Sequence, residues 1–238
     1  MDWNDEGVVL HVRPLGETSV ILELLTREHG RHLGLVRGGT SKRLRGLLQP
    51  GNTLSVGWRA RLQEHLGTFT VEGMTERVGT VLADRKALSG LTAAAALASA
   101  ALPEREAHPR VYDGLTILLD SLDDSSTWPA IMARWELGLL EDLGFGLDLA
   151  ACAVTGETEG LAYVSPRSGR AVTEEAAGVY KERLLPLPDF LIGGKRFETG
   201  DVLDALRLTG FFLEKRVFAP SDKALPVPRI ALLDALAR

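Results

Sequence analysis

The chain has 238 residues, of which 45% are hydrophobic, so it is long enough to bury one sizeable core or two smaller ones. This composition excludes a disordered polymer, and the single cysteine excludes a small protein held together by disulfides. The 27 basic and 32 acidic residues leave a net charge of −5, which excludes a protein that holds nucleic acid over its whole surface.

The sequence contains no stretch that predicts a membrane-spanning helix. Its most apolar run, residues 91–102, has 12 residues and is rich in alanine, whereas a membrane span needs roughly 20. The N-terminus carries Asp2, Asp5 and Glu6, where a secretory signal would be basic. We therefore expect a cytoplasmic protein with no membrane partner, and the lone Cys152 is typical of a reducing compartment.

The first 80 residues have the pattern of short antiparallel strands. Apolar residues recur with a period of two, and turn residues separate the runs. In the clearest run, residues 53–62, the apolar face extends from Leu54 to Leu62, and the opposite face ends in Arg59 and Arg61. Five such runs, with a longer connection between the third and fourth, predict a small barrel of the oligonucleotide-binding type. An SH3-like barrel fits this pattern almost as well.

After residue 80 the apolar period changes to that of helices. The pattern predicts helices at 81–102, 109–122 and 127–143, where Thr127 caps the third helix and Gly144 ends it. Residues 145–172 lose this period and are expected to form a loop-rich insertion, after which helices resume near 173–185, 199–218 and 228–237. The predicted fold class is therefore α+β, with a five-stranded barrel domain at 1–80 and a mainly α-helical domain at 81–238.

The basic residues are concentrated within the predicted barrel. Residues 1–80 hold ten Lys and Arg against nine Asp and Glu, a net charge of +1, while the remainder holds 17 against 23, a net charge of −6. Between Arg31 and Arg61 there are seven basic residues and no acidic one. Such a window predicts a local nucleic-acid-binding surface, although a solubilising face is the alternative. The seven residues are Arg31, Arg37, Lys42, Arg43, Arg45, Arg59 and Arg61.

The sequence does not contain a convincing catalytic or metal-binding motif. Gly193-Gly194-Lys195 lacks the spacing and the hydroxyl residue of a phosphate-binding loop. His29 and His32 have a spacing that suits a metal ion, but they flank a turn and lack nearby cysteines, which favours a polar hairpin tip. We therefore expect no enzyme activity, no cofactor and no metal.

Several segments, taken together and in order, resemble the RecO family of bacterial DNA repair and recombination mediators. The N-terminal part of the resemblance consists of Glu6-Gly7-Val8-Val9-Leu10, Gly16-Glu17-Thr18-Ser19, Leu24-Leu25-Thr26, Gly30 and Leu48-Gln49-Pro50-Gly51. The later part consists of Trp135-Glu136-Leu137, Leu139-Leu140, Leu143-Gly144-Phe145-Gly146, Leu149, Cys152, Gly156, Tyr163, Ser165 and Gly169. The resemblance covers most of the chain to about residue 172 and weakens after it.

This resemblance implies an oligonucleotide-binding barrel, a helical domain and a zinc-ribbon-like insertion at 145–172. In the family pattern two Cys-x-x-Cys pairs hold zinc, but here only Cys152 matches, and Thr155 stands at the second position. Because one thiolate does not hold structural zinc, we predict a degenerate insertion without metal. Hydrogen bonds of Thr155, and a small core of Val154, Val164 and Val172, would then replace the ion.

The resemblance also implies a function. Family members bind single- and double-stranded DNA, anneal complementary strands and work with RecR to load RecA onto DNA covered by single-strand-binding protein. We expect the basic residues to contact phosphates, with Lys42, Arg43 and Arg45 on a mobile loop and with Arg59 and Arg61 on one strand face. Arg207, Lys215 and Arg216 are candidates for binding the C-terminal tail of single-strand-binding protein. The alternative function is a protein-binding scaffold whose barrel has lost its DNA affinity.

Overall fold

The structure, a computed structural model, describes residues 1–238 apart from the side chain of Thr80. The chain forms two compact units. One comprises Met1–Ser125 with Pro226–Arg229, and the other comprises Ser126–Leu225 with Ile230–Arg238. The first contains a five-stranded barrel and four helices, and the second is mainly helical with a small sheet, so the predicted α+β class is confirmed.

Five strands of the first unit close into a barrel. They are β1 (Asp2–Leu15), β2 (Ser19–Thr26), β3 (Gly30–Val36), β4 (Thr53–Arg59) and β5 (Thr68–Thr75). Their order around the barrel is β1-β2-β3-β5-β4, where β3 runs parallel to β5 and β4 closes on β1. A short helix, α1 (Lys42–Leu47), lies in the connection between β3 and β4. This arrangement is that of an oligonucleotide-binding barrel and not of the SH3-like alternative.

Alternating side chains of the strands fill the barrel. On β4, Leu54, Val56 and Trp58 are almost fully buried, as their period of two predicts. Each buried side chain of this size stabilises the fold by about 2 kcal/mol. The predicted face does not extend to Leu62, which is 47% exposed, because β4 ends at Arg59.

Three helices complete the first unit: α2 (Val78–Val81), α3 (Arg85–Ala101) and α4 (Pro109–Asp120). Asp84 caps α3 by accepting hydrogen bonds from the amides of Lys86 and Ala87, at 2.7 and 3.2 Å. The helix ends before Pro103, as the sequence predicts. The barrel strands end at Thr75, and the domain boundary near residue 80 stays a proposal.

The second unit is built on two helices that pack together, α5 (Trp128–Asp142) and α7 (Thr199–Phe212). The Thr209 hydroxyl donates a hydrogen bond to the fully buried Glu136 carboxylate, which satisfies a polar group inside this pair. A π-helical turn, Leu213–Phe218, continues α7. The remaining elements of the second unit are β6 (Leu161–Val164), β7 (Ala171–Thr173), α6 (Glu174–Ala177), β8 (Leu185–Pro186) and most of α8 (Val227–Leu236).

The predicted helix at 173–185 is wrong beyond its first turn. The α-helix stops at Ala177 because Gly178 adopts a φ of +46°, and a 3-10 helix, Gly178–Arg183, follows it. Strand β8 then joins β6 and β7 in a three-stranded sheet, in the order β7-β6-β8. The described helices include none with both the length and the apolarity that a bilayer crossing requires.

Candidate nucleic-acid interface

Helix α1 carries three of the predicted phosphate contacts. The hydroxyl of Ser41 accepts a hydrogen bond from the Leu44 amide and so caps the helix at its N-terminus. Leu44 and Leu47 pack against the barrel core, which fixes the orientation of the helix on the barrel. The expectation of a mobile loop is therefore wrong, because the connection contains a helix held by apolar contacts. Its exposed cations are Lys42, Arg43 and Arg45.

Three further cations lie at or beyond the ends of strands. Arg37 follows β3, Arg59 ends β4 and Arg61 lies in the loop after it, and all three are exposed. Leu35 pairs with Thr68 of β5, which in turn pairs with Arg59, so a single strand separates the end of β3 from the end of β4. Leu35 and Arg59 therefore lie two strand spacings apart, roughly 10 Å, and Arg37 follows two residues after Leu35. The prediction that Arg59 and Arg61 share one strand face is wrong, because β4 ends at Arg59 and Arg61 lies outside it.

These six cations form no ion pairs in the part of the chain that the structure describes. Arg45 donates one hydrogen bond to the Thr40 carbonyl, at 3.3 Å. Acidic residues border the surface, because Asp2 of β1 lies opposite Arg59 and Glu72 lies on β5. The six cations thus lie on α1 and at or beyond the ends of β3 and β4.

The seventh predicted residue, Arg31, has a structural role instead. Its guanidinium contacts the Glu23 carboxylate at 2.8 Å and the Leu102 carbonyl at 2.8 Å, and the Glu104 carboxylate lies 3.6 Å away. The side chain is only 17% exposed. Because its donors are already engaged inside the first unit, we remove Arg31 from the phosphate-binding set.

Sequence reasoning missed an aromatic cluster at one end of the barrel. The Trp3 ring stacks on His29 with centroids 4.1 Å apart, and it lies nearly parallel to Trp58 at 5.6 Å. His32 packs edge-on against Trp3 and Trp58, and Phe69 lies beneath them. His32 is almost fully buried, so the predicted polar hairpin tip is wrong at this residue. The signal in the sequence was the recurrence of Trp and His at the start of β1, around the β2–β3 turn and at the end of β4.

A cavity of about 440 Å³ opens beside this cluster. The loop after β4 lines it through Gln63, and the Trp58 indole donates a hydrogen bond to the Leu66 carbonyl of the same loop at 3.0 Å. Arg105 holds the same loop by donating to the carbonyls of Glu64 and His65, at 3.3 and 3.0 Å. The residues that line the cavity are Met1, Asp2, Trp3, Glu28, His29, His32, Trp58, Gln63 and Arg105.

The insertion of the second unit is held by hydrogen bonds around Cys152. The buried thiol accepts from the Thr173 amide at 3.4 Å, and the Cys152 carbonyl accepts from the Gly156 amide at 2.9 Å. Burial raises the pKa of this thiol. Hydrogen bonds from Thr155 and from nearby amides together have the larger, opposite effect, and the pKa is lowered to about 6. Within the described residues, no three His, Cys, Asp or Glu side chains lie close enough together to hold a metal ion.

The expected apolar core of the insertion is present in part. Val164 and Val172 are buried, whereas Val154 is 71% exposed and contributes nothing to it. The Thr155 hydroxyl donates to the Glu157 carboxylate at 2.9 Å, as expected for a turn kept by hydrogen bonds.

The three residues proposed to bind a partner differ in availability. Arg216 donates to the carbonyls of Phe145 and Ser168, at 3.0 and 2.8 Å, and so joins the insertion to the turn that follows α7. It is a structural residue, and we remove it from the partner site. Lys215 donates to the Pro166 carbonyl at 2.5 Å, and Arg207 pairs with Asp204 at 2.8 Å, but both side chains remain exposed.

Comparison with known proteins identifies the family. Residues 1–76 match the family described as recombination protein O N terminal, and residues 82–226 match recombination protein O C terminal. The DNA repair protein RecO of Ruegeria sp. (strain TM1040) is 50% identical over 240 residues, covering 100% of this chain and 99% of its own length. The DNA repair protein RecO of Methylobacterium nodulans is 51% identical over 235 residues, covering 96% and 95%.

The family match confirms two predictions made from the sequence. The N-terminal barrel is of the oligonucleotide-binding type, and the protein belongs to a group of non-enzymatic mediators. The DNA repair protein RecO of Caulobacter vibrioides (strain NA1000 / CB15N), 48% identical over 238 residues, covers 100% of this chain and 98% of its own length. Both halves of the chain and its full-length relatives agree, and the chain belongs to the recombination protein O family of DNA repair proteins.

Proposed function

We propose that this protein binds single- and double-stranded DNA through the basic surface of its barrel and anneals complementary strands. With RecR, it would help to load RecA onto DNA that is covered by single-strand-binding protein. One observation carries the DNA-binding step: six exposed cations without ion pairs, among the described residues, lie on an oligonucleotide-binding barrel in a chain that is acidic overall. Because the proposed ligand is DNA, we expect the protein to act in the bacterial cytoplasm.

The phosphate contacts divide into two groups with different rigidity. Arg59 projects from a strand whose register is fixed on both sides, by β1 and by β5. The cations of α1 lie on a helix that packs on the barrel through Leu44 and Leu47. The backbone of both groups is thus held in place before DNA arrives, which reduces the entropy lost on binding.

The test is a fluorescence-anisotropy titration of a labelled single strand at several salt concentrations. Replacing Arg59 and Arg61 together with glutamine is expected to weaken binding. It is also expected to reduce the slope of log affinity against log salt by about 1.4, at about 0.7 for each phosphate contact. The matched control replaces Lys195 and Arg196, two exposed cations of the second unit, with glutamine and is expected to keep the slope.

Failure of the wild-type protein to bind DNA even at low salt would favour the scaffold function instead. Annealing is tested separately with complementary oligonucleotides at saturating protein. A rate equal to the spontaneous rate would remove annealing from the proposal and leave DNA binding in place.

The tail of single-strand-binding protein is proposed to dock on the second unit at Arg207 and Lys215. The tail is acidic and apolar, and Lys215 lies 5.4 Å from the Phe211 ring centroid, so a cation and an aromatic surface are adjacent. A labelled tail peptide should bind the wild-type protein and bind the Arg207→Ala, Lys215→Ala double variant more weakly. Equal binding by both proteins would rule out this site.

A further inference from the structure

We propose that the aromatic cavity at the end of the barrel, bounded by Trp3, His29, His32 and Trp58, receives one unpaired base of a bound DNA strand. This inference rests on the proposed DNA binding and adds a specific place for a base to it. The cavity, at about 440 Å³, lies within the range of about 300–1,000 Å³ that is usual for small-molecule sites.

The walls of the cavity suit a flat aromatic ligand. Trp3 is stacked on His29 within 7° of parallel and lies within 18° of parallel to Trp58, and the two partly exposed rings of this stack, Trp3 and His29, line the cavity. A base that stacks against such rings gains affinity whatever its identity, since every base has a π-face. The rings are held firmly, because the Trp58 indole is bonded to the Leu66 carbonyl and His29 Nδ1 lies 2.9 Å from the Asp5 carboxylate.

His32 supplies a hydrogen-bond acceptor. Its Nδ1 lies 3.0 Å from the Leu33 carbonyl and must therefore donate to it. Burial lowers the pKa of His32 more than its hydrogen bond to the Leu33 carbonyl raises it, which favours the neutral ring. In a neutral ring that donates through Nδ1, Nε2 is an acceptor, and this atom has no partner among the residues that the structure describes. An N–H group on a base edge, such as N3–H of thymine, fits this acceptor.

The charges around the cavity favour a base over a phosphate. Asp2 and Glu28 line it together with two cations, Arg105 and the Met1 amino group, so these charges balance and leave no net positive charge to hold a phosphate. Arg59 and Arg61 follow Trp58 in the sequence, and the intervening Ala60 is hydrogen-bonded to Met1 on the cavity wall. Phosphates would therefore lie outside, on the two arginines, while the attached base turns into the cavity.

The experiment compares two labelled strands of about 12 nucleotides, a length within the site size of one oligonucleotide-binding barrel. One is oligothymidylate, and the other carries abasic residues in place of the bases. The wild-type protein should bind oligothymidylate at least about fivefold more tightly than the abasic strand, the smallest effect expected of one stacked base. In Trp3→Leu this ratio should fall to near one while affinity for the abasic strand is unchanged. Tyr180→Leu removes an exposed aromatic ring of the second unit and should keep the wild-type ratio.

A second variant covers the case in which Trp3→Leu does not fold. His32→Phe keeps a ring in the barrel end but removes the acceptor. The wild-type protein should lose affinity when N3-methylthymine replaces thymine, whereas His32→Phe should bind both strands equally.

The outcomes separate this inference from the proposed function. If the variants keep the wild-type ratio and the wild-type sensitivity to N3-methylation, the base site is wrong and DNA binding stands. If the wild-type protein binds neither strand, both proposals are wrong.

Discussion

The contacts that an arginine already makes decide whether it is available to DNA. The guanidinium of Arg31 is engaged by Glu23 and the Leu102 carbonyl, and that of Arg216 by the carbonyls of Phe145 and Ser168. If such a guanidinium moved to a phosphate, the carbonyl and carboxylate groups that it now contacts would lose their hydrogen-bond donor. Arg59, by contrast, is exposed and forms no ion pair within the described residues.

The role of a glycine likewise depends on the residues that surround it in the fold. Gly34 lies among the basic residues, where close approach of a nucleic-acid backbone is one reason for a glycine. In the structure it faces the inside of the barrel, and a Cβ there would lie 2.4 Å from the Phe69 ring. The glycine is thus required by the aromatic cluster and not by DNA.

We predict that Gly34→Ala destabilises the protein by about 1–3 kcal/mol, because the added methyl overpacks the barrel. Urea unfolding measures this change. Gly46→Ala is the control, since a Cβ at Gly46 has open space around it and alanine favours the helix. A Gly34→Ala protein as stable as Gly46→Ala would show that Phe69 yields without cost.

At the scale of elements, α1 is the most basic segment of the barrel. Its six residues include three cations and no acidic residue, while two leucines attach it to the core. A helix this short is not stable alone in water, so its packing on the barrel maintains it. The helix therefore presents its charges as a group.

We predict that replacing Lys42, Arg43 and Arg45 with glutamine lowers DNA affinity. The slope of log affinity against log salt should fall by about 2, at about 0.7 for each contact. Anisotropy titrations with a single strand measure both quantities. Fold stability should change little, because all three side chains are exposed.

The control for this triple variant replaces Arg183, Lys195 and Arg196 of the second unit, which are also exposed. The change in net charge is the same, so a general electrostatic effect would weaken both proteins equally. An equal loss of affinity would show that α1 makes no direct contact with phosphates.

In the molecule as a whole, contacts that stabilise the barrel extend beyond its last strand, β5. Arg77 follows β5 and donates through Nη1 to the Gly51 carbonyl at 3.0 Å and to the Thr53 hydroxyl at 2.7 Å. Its Nε donates to the Asp120 carboxylate of α4 at 2.6 Å. One buried side chain thus joins the barrel to a helix about 40 residues later, and both belong to the same compact unit.

We predict that Arg77→Met destabilises the first unit by about 2–4 kcal/mol, because buried acceptors on Gly51 and Thr53 lose their donor. Asp120→Asn should cost less than about 1 kcal/mol, since that carboxylate is 61% exposed and its ion pair is screened by water. Urea unfolding of the two variants compares them. Equal losses would mean that the ion pair with Asp120, and not the buried hydrogen bonds to Gly51 and Thr53, accounts for the contribution of Arg77 to stability.

Local patterns in the sequence predicted the barrel and most of the helices. The period of two on β4 predicted the burial of Leu54, Val56 and Trp58, and the helical period predicted α3, α4 and α5. These features follow from local geometry, because side chains alternate along a strand and recur every 3.6 residues along a helix. The sequence also predicted the basic surface, from a window of residues that contains no carboxylate.

The exposure of each cation and the meeting of the aromatic rings depend on tertiary contacts, which local sequence patterns do not reveal. Arg31 and Arg59 look alike in the sequence, but the partners of Arg31 come from β2 and from the segment after α3. Trp3 and Trp58 are far apart along the chain and are paired across β1 and β4. Both results depend on contacts between residues distant in sequence, and the closure of the barrel brings those residues together.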